Sequence, residues 1–354
     1  MRVLIVKVSS LGDVLHTLPA VTDAKRAKRD LVFDWVVEES FTEIPAWHTA
    51  VDKVIPVAIR RWRKNWIKTW IDGELGEFRR NLKEVHYDLV LDAQGLIKSG
   101  IISRMAKGLT IGLSDSTIKE PLATLFYNKV YSVPWTEHAV DRIRELFSRA
   151  LQYKYDRTQV DYGIDHERIG INPAATRQKQ LVFLHGTTWS SKFWPEAYWR
   201  ELARIATAKG YEVLIPWGSD DERKRAEYIA AGMDRVRILE RQNLTGLAQY
   251  LVMATGAIAV DTGLGHLAAA LSVPTISLYG ATNPKLSGTF GERQLHLRSD
   301  LACSPCMKKL CHYDGPELTD TVENRVFAVK PPCFTTHKPA DVWHRFERLV
   351  QNQS

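Results

Sequence analysis

The feature that most constrains the fold is an alternation of short apolar runs with segments of helical periodicity, present in both halves of the chain. In the first half, helical segments such as Asp13–Ala27 and Phe78–Val85 separate the apolar runs, which are Arg2–Val8, Val32–Val37, Lys53–Val57, Asp88–Asp92 and Thr110–Leu113. Strands that are connected through helices pair in parallel, with the helices covering the sheet. The first half is therefore predicted to form a parallel α/β domain.

The second half repeats the pattern, with predicted strands at Leu181–Leu184, Val213–Ile215, Val236–Leu239, Ala257–Val260 and Thr275–Leu278. We predict an α/β protein of two Rossmann-like domains whose parallel sheets face a central cleft. Ligands bind beyond the carboxyl ends of such strands, so the loops that follow the strands would line this cleft. The predicted segments are an N-terminal domain (1–160), a polar linker (161–180), a C-terminal domain (181–335), and a C-terminal helix (336–354) packing back on the N-terminal domain.

Composition limits the class of protein and its partners. The chain has 354 residues, of which 45% are hydrophobic and 25% charged, which is typical of a soluble globular protein. Its apolar runs are all shorter than the roughly 20 residues of a membrane span, and its N-terminus lacks a signal-peptide pattern. We therefore expect a cytoplasmic protein. A net charge of +7 favours polyanionic partners, and leaves nucleic acid, anionic lipid and phosphorylated substrates open.

The segment Val260–His266 has the pattern of a strand, a glycine turn and a helix start. Glycines let a ligand approach the backbone, and the N–H groups and dipole of a new helix favour an anion. The pattern indicates a phosphate site. An alternative remains open, in which Asp261 or Thr262 only caps the helix and His266 is an ordinary buried side chain.

Two further loops of the second half carry polar side chains after predicted strands. The loop His185–Glu196 offers Thr187, Thr188 and Lys192, which could hold a diphosphate and offset charge on a leaving group. The loop Pro216–Glu222 presents carboxylates that could accept hydrogen bonds from ribose hydroxyls. The alternatives are a solvated lysine in the first loop and helix-start charges in the second.

In the first half, the loop Ser9–His16 lacks both the dinucleotide-binding and the P-loop glycine patterns. Its Asp13 is either a general base or an acid placed at a helix N-terminus. A basic stretch follows a predicted strand, and with Lys98 it suggests an anionic acceptor, although charge runs are usually only solvated. The cations of this stretch are Arg60, Arg61, Arg63 and Lys64.

Together these motifs closely resemble the lipopolysaccharide heptosyltransferase I family, a part of glycosyltransferase family 9. The resemblance runs from Met1 to about Gly291 and rests on the N-terminal strand and loop, the Arg60–Lys64 stretch, the Thr187–Pro195 loop, and the Asp261–His266 turn. It implies the two-domain GT-B fold and the transfer of L-glycero-D-manno-heptose from ADP-heptose to Kdo2-lipid A. Transfer would invert the configuration at the anomeric carbon and would need no catalytic metal or other cofactor. The resemblance also implies a location at the cytoplasmic face of the inner membrane, in peripheral contact with its anionic surface. It implies no nucleic-acid partner.

The resemblance also implies roles for individual residues. Asp13 would be the base, Lys192 a catalytic cation that binds phosphate, and Glu222 a ribose ligand. The donor site would further include Thr187, Thr188, Trp217, Asp261, Thr262, Gly263 and His266. The acceptor's carboxylates and phosphates would meet Arg60, Arg61, Arg63, Lys64 and Lys98.

The chain departs from that family pattern near its end, where its four cysteines lie: Cys303, Cys306, Cys311 and Cys333. Clustered thiols in a cytoplasmic chain point to a structural iron or zinc before a disulfide, and reduced, metal-free thiols are the alternative. The departure leaves open another family 9 acceptor, either a second core heptose or a protein. Two rival functions remain, a non-hydrolysing sugar-nucleotide epimerase and a metal-dependent nucleic-acid-binding module, but both leave motifs unexplained.

Overall fold

A computed structural model describes residues 1–64, 72–172 and 176–351. The chain divides into two compact units, Met1–Arg168 and Ile169–Ser354. The division falls within residues 161–180, the segment predicted as a linker, of which 173–175 lie outside the described residues. Tyr162 and Ile169 in this segment are buried, so the segment is not exposed throughout its length.

Unit 1 contains a parallel sheet with the strand order β3-β2-β1-β4-β5-β6 in the described residues. The strands are β1 (Arg2–Val6), β2 (Val32–Glu38), β3 (Val51–Val57), β4 (His86–Asp92), β5 (Lys107–Leu113) and β6 (Lys129–Tyr131). The helices are α1 (Leu11–Leu15), α2 (Leu18–Ala27), α3 (Glu43–Ala46), α4 (Ile59–Lys64), α5 (Glu74–Glu84), α6 (Ile97–Met105) and α7 (Ala139–Leu151).

Unit 2 has a second parallel sheet with the order β12-β11-β10-β7-β8-β9. Its strands are β7 (Gln178–Leu184), β8 (Glu212–Ile215), β9 (Val236–Ile238), β10 (Ala254–Val260), β11 (Thr275–Tyr279) and β12 (Gln294–Arg298). Its helices are α8 (Glu196–Ala208), α9 (Asp220–Ala230), α10 (Leu244–Met253), α11 (Gly263–Ala270), α12 (Pro284–Ser287) and α13 (Pro339–Gln351). A hairpin of β13 (Thr319–Val322) and β14 (Arg325–Ala328) is added.

The two sheets share one strand order, and in each the order reverses beside the first strand of the unit. In unit 1 the reversal lies between β1 and β4, and in unit 2 between β7 and β10. Open α/β sheets bind ligands in the crevice at this switch point, beyond the carboxyl ends of the strands. The loops after these four strands are therefore the places to look for a site.

The predicted strands are all present, and each sheet has one further strand at its edge. Both additional strands, β6 and β12, are short and carry polar residues, so their apolar pattern is weak. The predicted helix Asp13–Ala27 is split into α1 and α2, with Pro19 in the first turn of α2. Proline lacks the N–H that would continue a helix, but it is accommodated in a first turn.

The C-terminal helix α13 corrects one prediction. Its apolar face, formed by Val342, Trp343 and Phe346, is buried in the core of unit 2 rather than against the N-terminal domain. Phe346 reaches β10 so closely that a Cβ built on Gly256 would lie 2.6 Å from its ring. Complete burial of a phenylalanine contributes about 1.5–3 kcal/mol. The helix is therefore an integral part of unit 2.

Within the part of the chain that the structure describes, no helix is both long and apolar enough to cross a lipid bilayer.

Candidate active site

In unit 2, an ion pair joins the loops that follow β7 and β10. Lys192 Nζ lies 2.7 Å from Asp261 Oδ2, and the two side chains are only 15% and 12% exposed. Thr187 Oγ1 donates to the backbone oxygen of Asp261 at 3.1 Å, and Thr282, after β11, donates to the Asp261 carboxylate. The Lys192 ammonium also lies 4.3 Å from the centre of the Trp189 ring. The loops are thus held together at the switch point of the sheet.

The start of helix α11 lies directly beside this pair. Thr262 is the N-cap residue, with extended backbone angles, and Gly263 begins the helix. The helix packs tightly against its own sheet, because a Cβ on Gly265 would lie 3.2 Å from the Cβ of Ala259. His266 is buried on this helix. The positive end of the helix dipole and the Lys192 cation therefore favour an anion at the same place.

A carboxylate approaches the loop after β7 from the first turn of helix α9, which follows β8. Glu222 Oε2 accepts a hydrogen bond from the backbone N–H of Gly218 at 2.7 Å. Its carboxylate also packs over Gly186, where a Cβ would come within 2.3 Å of Oε1, so a side chain at this position would displace the carboxylate. Trp217 Nε1 donates to the carbonyl oxygen of Leu239 at 2.8 Å, which fixes that ring. Thr188 is exposed in the β7 loop.

In unit 1, Asp13 lies on the wall of a cavity of about 330 Å³ at the switch point. Its carboxylate accepts hydrogen bonds from Ser10 N at 2.8 Å and Ser10 Oγ at 2.7 Å. Gln94, in the loop after β4, accepts from the backbone N–H groups of Val8 and Ser9, which ties the β1 and β4 loops together. Gly95 has a φ of +70°, a conformation that glycine adopts readily. The loop backbone therefore holds Asp13 in the cavity wall.

Three cations line this cavity: Lys7, Lys119 and Arg142. Lys7 Nζ donates to the carbonyl oxygen of Ala93 at 2.7 Å. Burial lowers the pKa of Lys7, while the nearby Asp13 carboxylate acts in the opposite direction. Burial likewise lowers the pKa of Arg142, whose guanidinium stacks 4.0 Å from the centre of the Trp135 ring. A cavity with one carboxylate and three cations suits an anionic ligand that gives up a proton.

The predicted basic stretch lies elsewhere in unit 1, on helix α4 and exposed. None of its four cations is among the residues that line the Asp13 cavity. Arg61 is already paired, at 3.2 Å from Glu39 and 2.8 Å from Glu74, and these hydrogen bonds raise its pKa. The Arg60 guanidinium lies 5.1 Å from the centre of the Phe41 ring. Lys98 is nearer the cavity, with a 3.4 Å hydrogen bond to Ser9 Oγ.

Sequence reasoning missed the cavity's own cations for a definite reason. Lys119 and Arg142 come from segments that carry no motif and are more than a hundred residues from Asp13 in the chain. The third, Lys7, is part of the N-terminal motif but looks like the polar end of a strand. Only the strand order brings these segments to one edge of the sheet.

The four cysteines line one small cavity in unit 2. Burial raises the pKa of the Cys333 thiol to about 12, with the three other cysteines adding to the effect. Among the described residues, which include all four cysteines, no group of three or more histidine, cysteine or acidic side chains is arranged to hold a metal ion. The predicted iron or zinc centre thus has no support in this geometry, although the thiols do converge.

The cysteine segment instead contacts the loop that carries Lys192. Ser191 Oγ donates to the carbonyl oxygen of Lys308 at 2.6 Å, and Ser191 N donates to that of Lys309 at 3.2 Å. On its other side, Ser304 Oγ donates to the carbonyl oxygen of Gly280 at 2.6 Å. The segment therefore braces the short turn Ser190–Lys192, a contact that no sequence motif indicates.

These features define a class of protein. The two α/β units have the same strand order. One has a carboxylate at its switch point, and the other has a cation beside a helix start. This combination is typical of a sugar-nucleotide-dependent glycosyltransferase with the GT-B fold.

Comparisons with known proteins identify the family. Residues 75–316 match glycosyltransferase family 9 (heptosyltransferase). The chain is 52% identical to lipopolysaccharide heptosyltransferase 1 of Pseudomonas aeruginosa, over 99% of this chain and 98% of the relative. Two solved structures of the E. coli heptosyltransferase WaaC, each covering 84% of this chain and 93% of its own, are similar as well. The complex with ADP has 48% identity and a TM-score of 0.80, and the complex with ADP-2-deoxy-2-fluoro heptose has 47% and 0.78.

The chain belongs to glycosyltransferase family 9 and is a heptosyltransferase with the GT-B fold. This membership decides between the functions that the sequence left open, in favour of a glycosyltransferase over the epimerase and the nucleic-acid-binding module.

Proposed function

We propose that this enzyme transfers L-glycero-D-manno-heptose from ADP-heptose to the first Kdo sugar of Kdo2-lipid A, with inversion at the anomeric carbon. The observation that carries the proposal is the position of Asp13, a carboxylate on the wall of a cavity lined by Lys7, Lys119 and Arg142. A Kdo acceptor supplies both a carboxylate for such cations and a hydroxyl for the base. The similarity to WaaC bound to an ADP-heptose analogue supports the choice of donor.

The donor's diphosphate is assigned to the Lys192 loop and the start of helix α11. Lys192, Thr187 and Thr188 contact the phosphates, with Thr262, Gly263 and His266 around them. Glu222 binds the ribose from its position beside Gly186, and Trp217 forms the adjacent wall. Asp261 binds heptose hydroxyls and, through the 2.7 Å ion pair, also orients the Lys192 ammonium.

Asp13 is assigned the role of general base. It takes the proton from the acceptor hydroxyl as the oxygen forms its bond to the anomeric carbon of heptose. The bond between that carbon and the β-phosphate oxygen breaks, and ADP leaves with the electron pair. A positioned base contributes about 10²–10⁴-fold to such a step, and the attack from the face opposite the leaving group produces inversion.

Lys192 and the α11 dipole are assigned the role of stabilising the negative charge on the departing ADP, so that no metal is needed for the chemical step. The cysteine segment takes no part in this chemistry and braces the Ser190–Lys192 turn. We give it no metal ligand role, since its side chains are not placed to hold an ion.

Arg60, Arg63, Lys64 and Lys98 remain candidates for the acceptor's outer phosphates, with Arg61 held by its two glutamates. Arg60, Arg63 and Lys64 are exposed and Lys98 is half-buried, and basic side chains near an anionic membrane surface are attracted to it. The proposal includes a peripheral position at the cytoplasmic face of the inner membrane, where the acceptor's lipid is anchored.

The test is a transfer assay with ADP-heptose and Kdo2-lipid A, read by mass spectrometry. One added heptose, lost in Asp13→Asn and retained in the exposed-surface control Asp52→Asn, supports the proposal. If no product forms with this acceptor but product forms on an already heptosylated core or on a protein, the enzyme uses that other acceptor and the proposal is wrong. Anomeric configuration of the product, determined by NMR, checks inversion.

A further inference from the structure

Unit 1 carries three exposed apolar side chains on two neighbouring elements close to the Asp13 cavity, which is the proposed acceptor cavity. Leu122 is 63% exposed and Leu125 is 79% exposed, both on the short 3₁₀ segment Pro121–Phe126, and Ile101 on helix α6 is 41% exposed. We call these three residues the apolar patch. Large aliphatic side chains at this level of exposure are unfavourable in water, and they mark an interaction surface when they cluster.

The segment that carries the patch has a fixed structure. It packs on helix α6 so closely that a Cβ on Gly100 would lie 2.7 Å from the Phe126 ring. Glu120, just before it, accepts a hydrogen bond from the N–H of Ile97 at 2.8 Å, and Ala123 within it is fully buried. Phe126 and Ala123 thus face inward, while the two leucines point outward from the same turn. A segment anchored in this way presents its leucines to a partner without refolding.

The patch is continuous with the wall of the acceptor cavity. Thr117, Ile118 and Lys119 line that cavity, and the patch segment begins two residues later. The cavity and the patch therefore lie at the same edge of the sheet, after β4 and β5.

Charge selects the kind of partner. Exposed cations lie near the patch along the chain, with Arg104 three residues after Ile101 on helix α6, and Lys119 and Lys129 on either side of the 3₁₀ segment. Glu120, the acid directly before this segment, accepts a hydrogen bond from the Ile97 N–H. Apolar side chains among cations match the boundary of an anionic bilayer, where the leucines enter the acyl region and the cations meet phosphates. A second copy of the same patch would bring like charges together, which disfavours self-association.

We propose that the apolar patch docks unit 1 on an anionic lipid surface, with Leu122 and Leu125 inserted, and so delivers the cavity to a membrane-anchored acceptor. The inference rests on the proposed function for the identity of that acceptor. The docking itself depends only on the patch, its cations and the lipid.

The test uses the full chain and vesicles of phosphatidylethanolamine with phosphatidylglycerol, compared with phosphatidylcholine alone. The double variant Leu122→Ser and Leu125→Ser is measured beside Val326→Ser, a control that is 71% exposed in unit 2. We expect the double variant to bind anionic vesicles about tenfold more weakly, since apolar burial and affinity are linked, and the control to bind like wild type. Circular dichroism and thermal unfolding verify that all three proteins fold alike.

Transfer assays separate docking from chemistry. The double variant is expected to lose transfer to Kdo2-lipid A in vesicles but to keep wild-type transfer to a deacylated, water-soluble acceptor. Unchanged vesicle binding, or an equal loss with both acceptors, would overturn the proposal. A dimer that the double variant abolishes, with no vesicle binding by wild type, would assign the patch to self-association instead. Vesicle binding that depends on the leucines, combined with no transfer by wild type, would retain docking and reject only the proposed function.

Discussion

The ion pair between Lys192 and Asp261 gives the sharpest prediction about the donor site. The pair is 2.7 Å long and its side chains are 15% and 12% exposed, so water screens it little. At an effective dielectric constant of about 20, two unit charges at this separation attract by about 6 kcal/mol before desolvation is subtracted. Desolvation offsets most of that figure, and measured couplings between contacting side chains are about 0.5–3 kcal/mol.

The test is a double-mutant cycle on kcat/KM for ADP-heptose. Lys192→Ala should lower kcat by about 10²–10³-fold, which is the usual effect of removing one group that stabilises transition-state charge. Asp261→Asn keeps an oxygen that accepts from Thr282 but no longer holds the ammonium. We expect it to lower kcat/KM by about tenfold or more in wild type, and by much less when Lys192 is already absent, giving a coupling of about 1–3 kcal/mol.

The assay is ADP release under initial-rate conditions, with ADP affinity measured separately by calorimetry. Lys338→Ala is the matched control, because Lys338 also forms an ion pair, at 3.1 Å with Asp320, but is 56% exposed. Exposed pairs contribute about 0–1 kcal/mol, so this variant should behave like wild type. Equal costs of Asp261→Asn in both backgrounds would refute the positioning role of Asp261, and an unchanged Lys192→Ala enzyme would remove the lysine from the site.

Three further predictions follow from unit 1 and from the chemistry. Arg142→Ala should raise the KM for Kdo2-lipid A while leaving ADP affinity unchanged, because Arg142 lines the Asp13 cavity of unit 1 whereas the proposed ADP ligands lie in unit 2; a matching loss of ADP affinity, measured by calorimetry, would contradict this assignment. His48 is buried, and its pKa is lowered to about 4 from 6.5. The neutral, buried His48 side chain therefore contributes fully to the free energy of unfolding above about pH 6.5. This contribution is lost as the pH falls toward 4, by about 3 kcal/mol in total. Urea unfolding across this range should show a shallower pH dependence for His48→Gln than for wild type, and parallel curves would disprove the assignment. Prolonged chelation should leave the transfer rate unchanged if Lys192 and the α11 dipole supply the charge compensation, whereas recovery of a lost rate by one added metal would refute that account.

The sequence predicted the architecture well because the signal is periodic and local. Each central strand is an apolar run, and glycine turns mark the switch-point loops of unit 2, so both the fold and the positions of Lys192 and Asp261 were predictable. An amphipathic helix is different, because its pattern says only that one face is buried. The helix in the C-terminal segment was therefore predicted, but the unit that it packs against was predicted wrongly.

The features of the site that the sequence did not predict depend on contacts between segments that are distant in the chain. Arg142 lies in the Asp13 cavity because helix α7 returns to that edge of the sheet, and no local motif records this. The cysteines illustrate the opposite case, in which spacing suggested a metal centre. Their side chains converge on one cavity but are not arranged as ligands, since side-chain direction depends on packing and not on spacing alone.

The shared strand order of the two sheets gives the two proposed reactive groups equivalent places in their units. Asp13 follows the first strand of unit 1, and Lys192 follows the first strand of unit 2, so the proposed base and the proposed cation occupy topologically equivalent loops. Each unit thus presents one proposed reactive side chain from the loop after its first strand, and the two side chains carry opposite charge. We propose that this difference in charge separates the two tasks, with the Asp13 carboxylate acting on the acceptor hydroxyl and the Lys192 ammonium acting on the departing ADP.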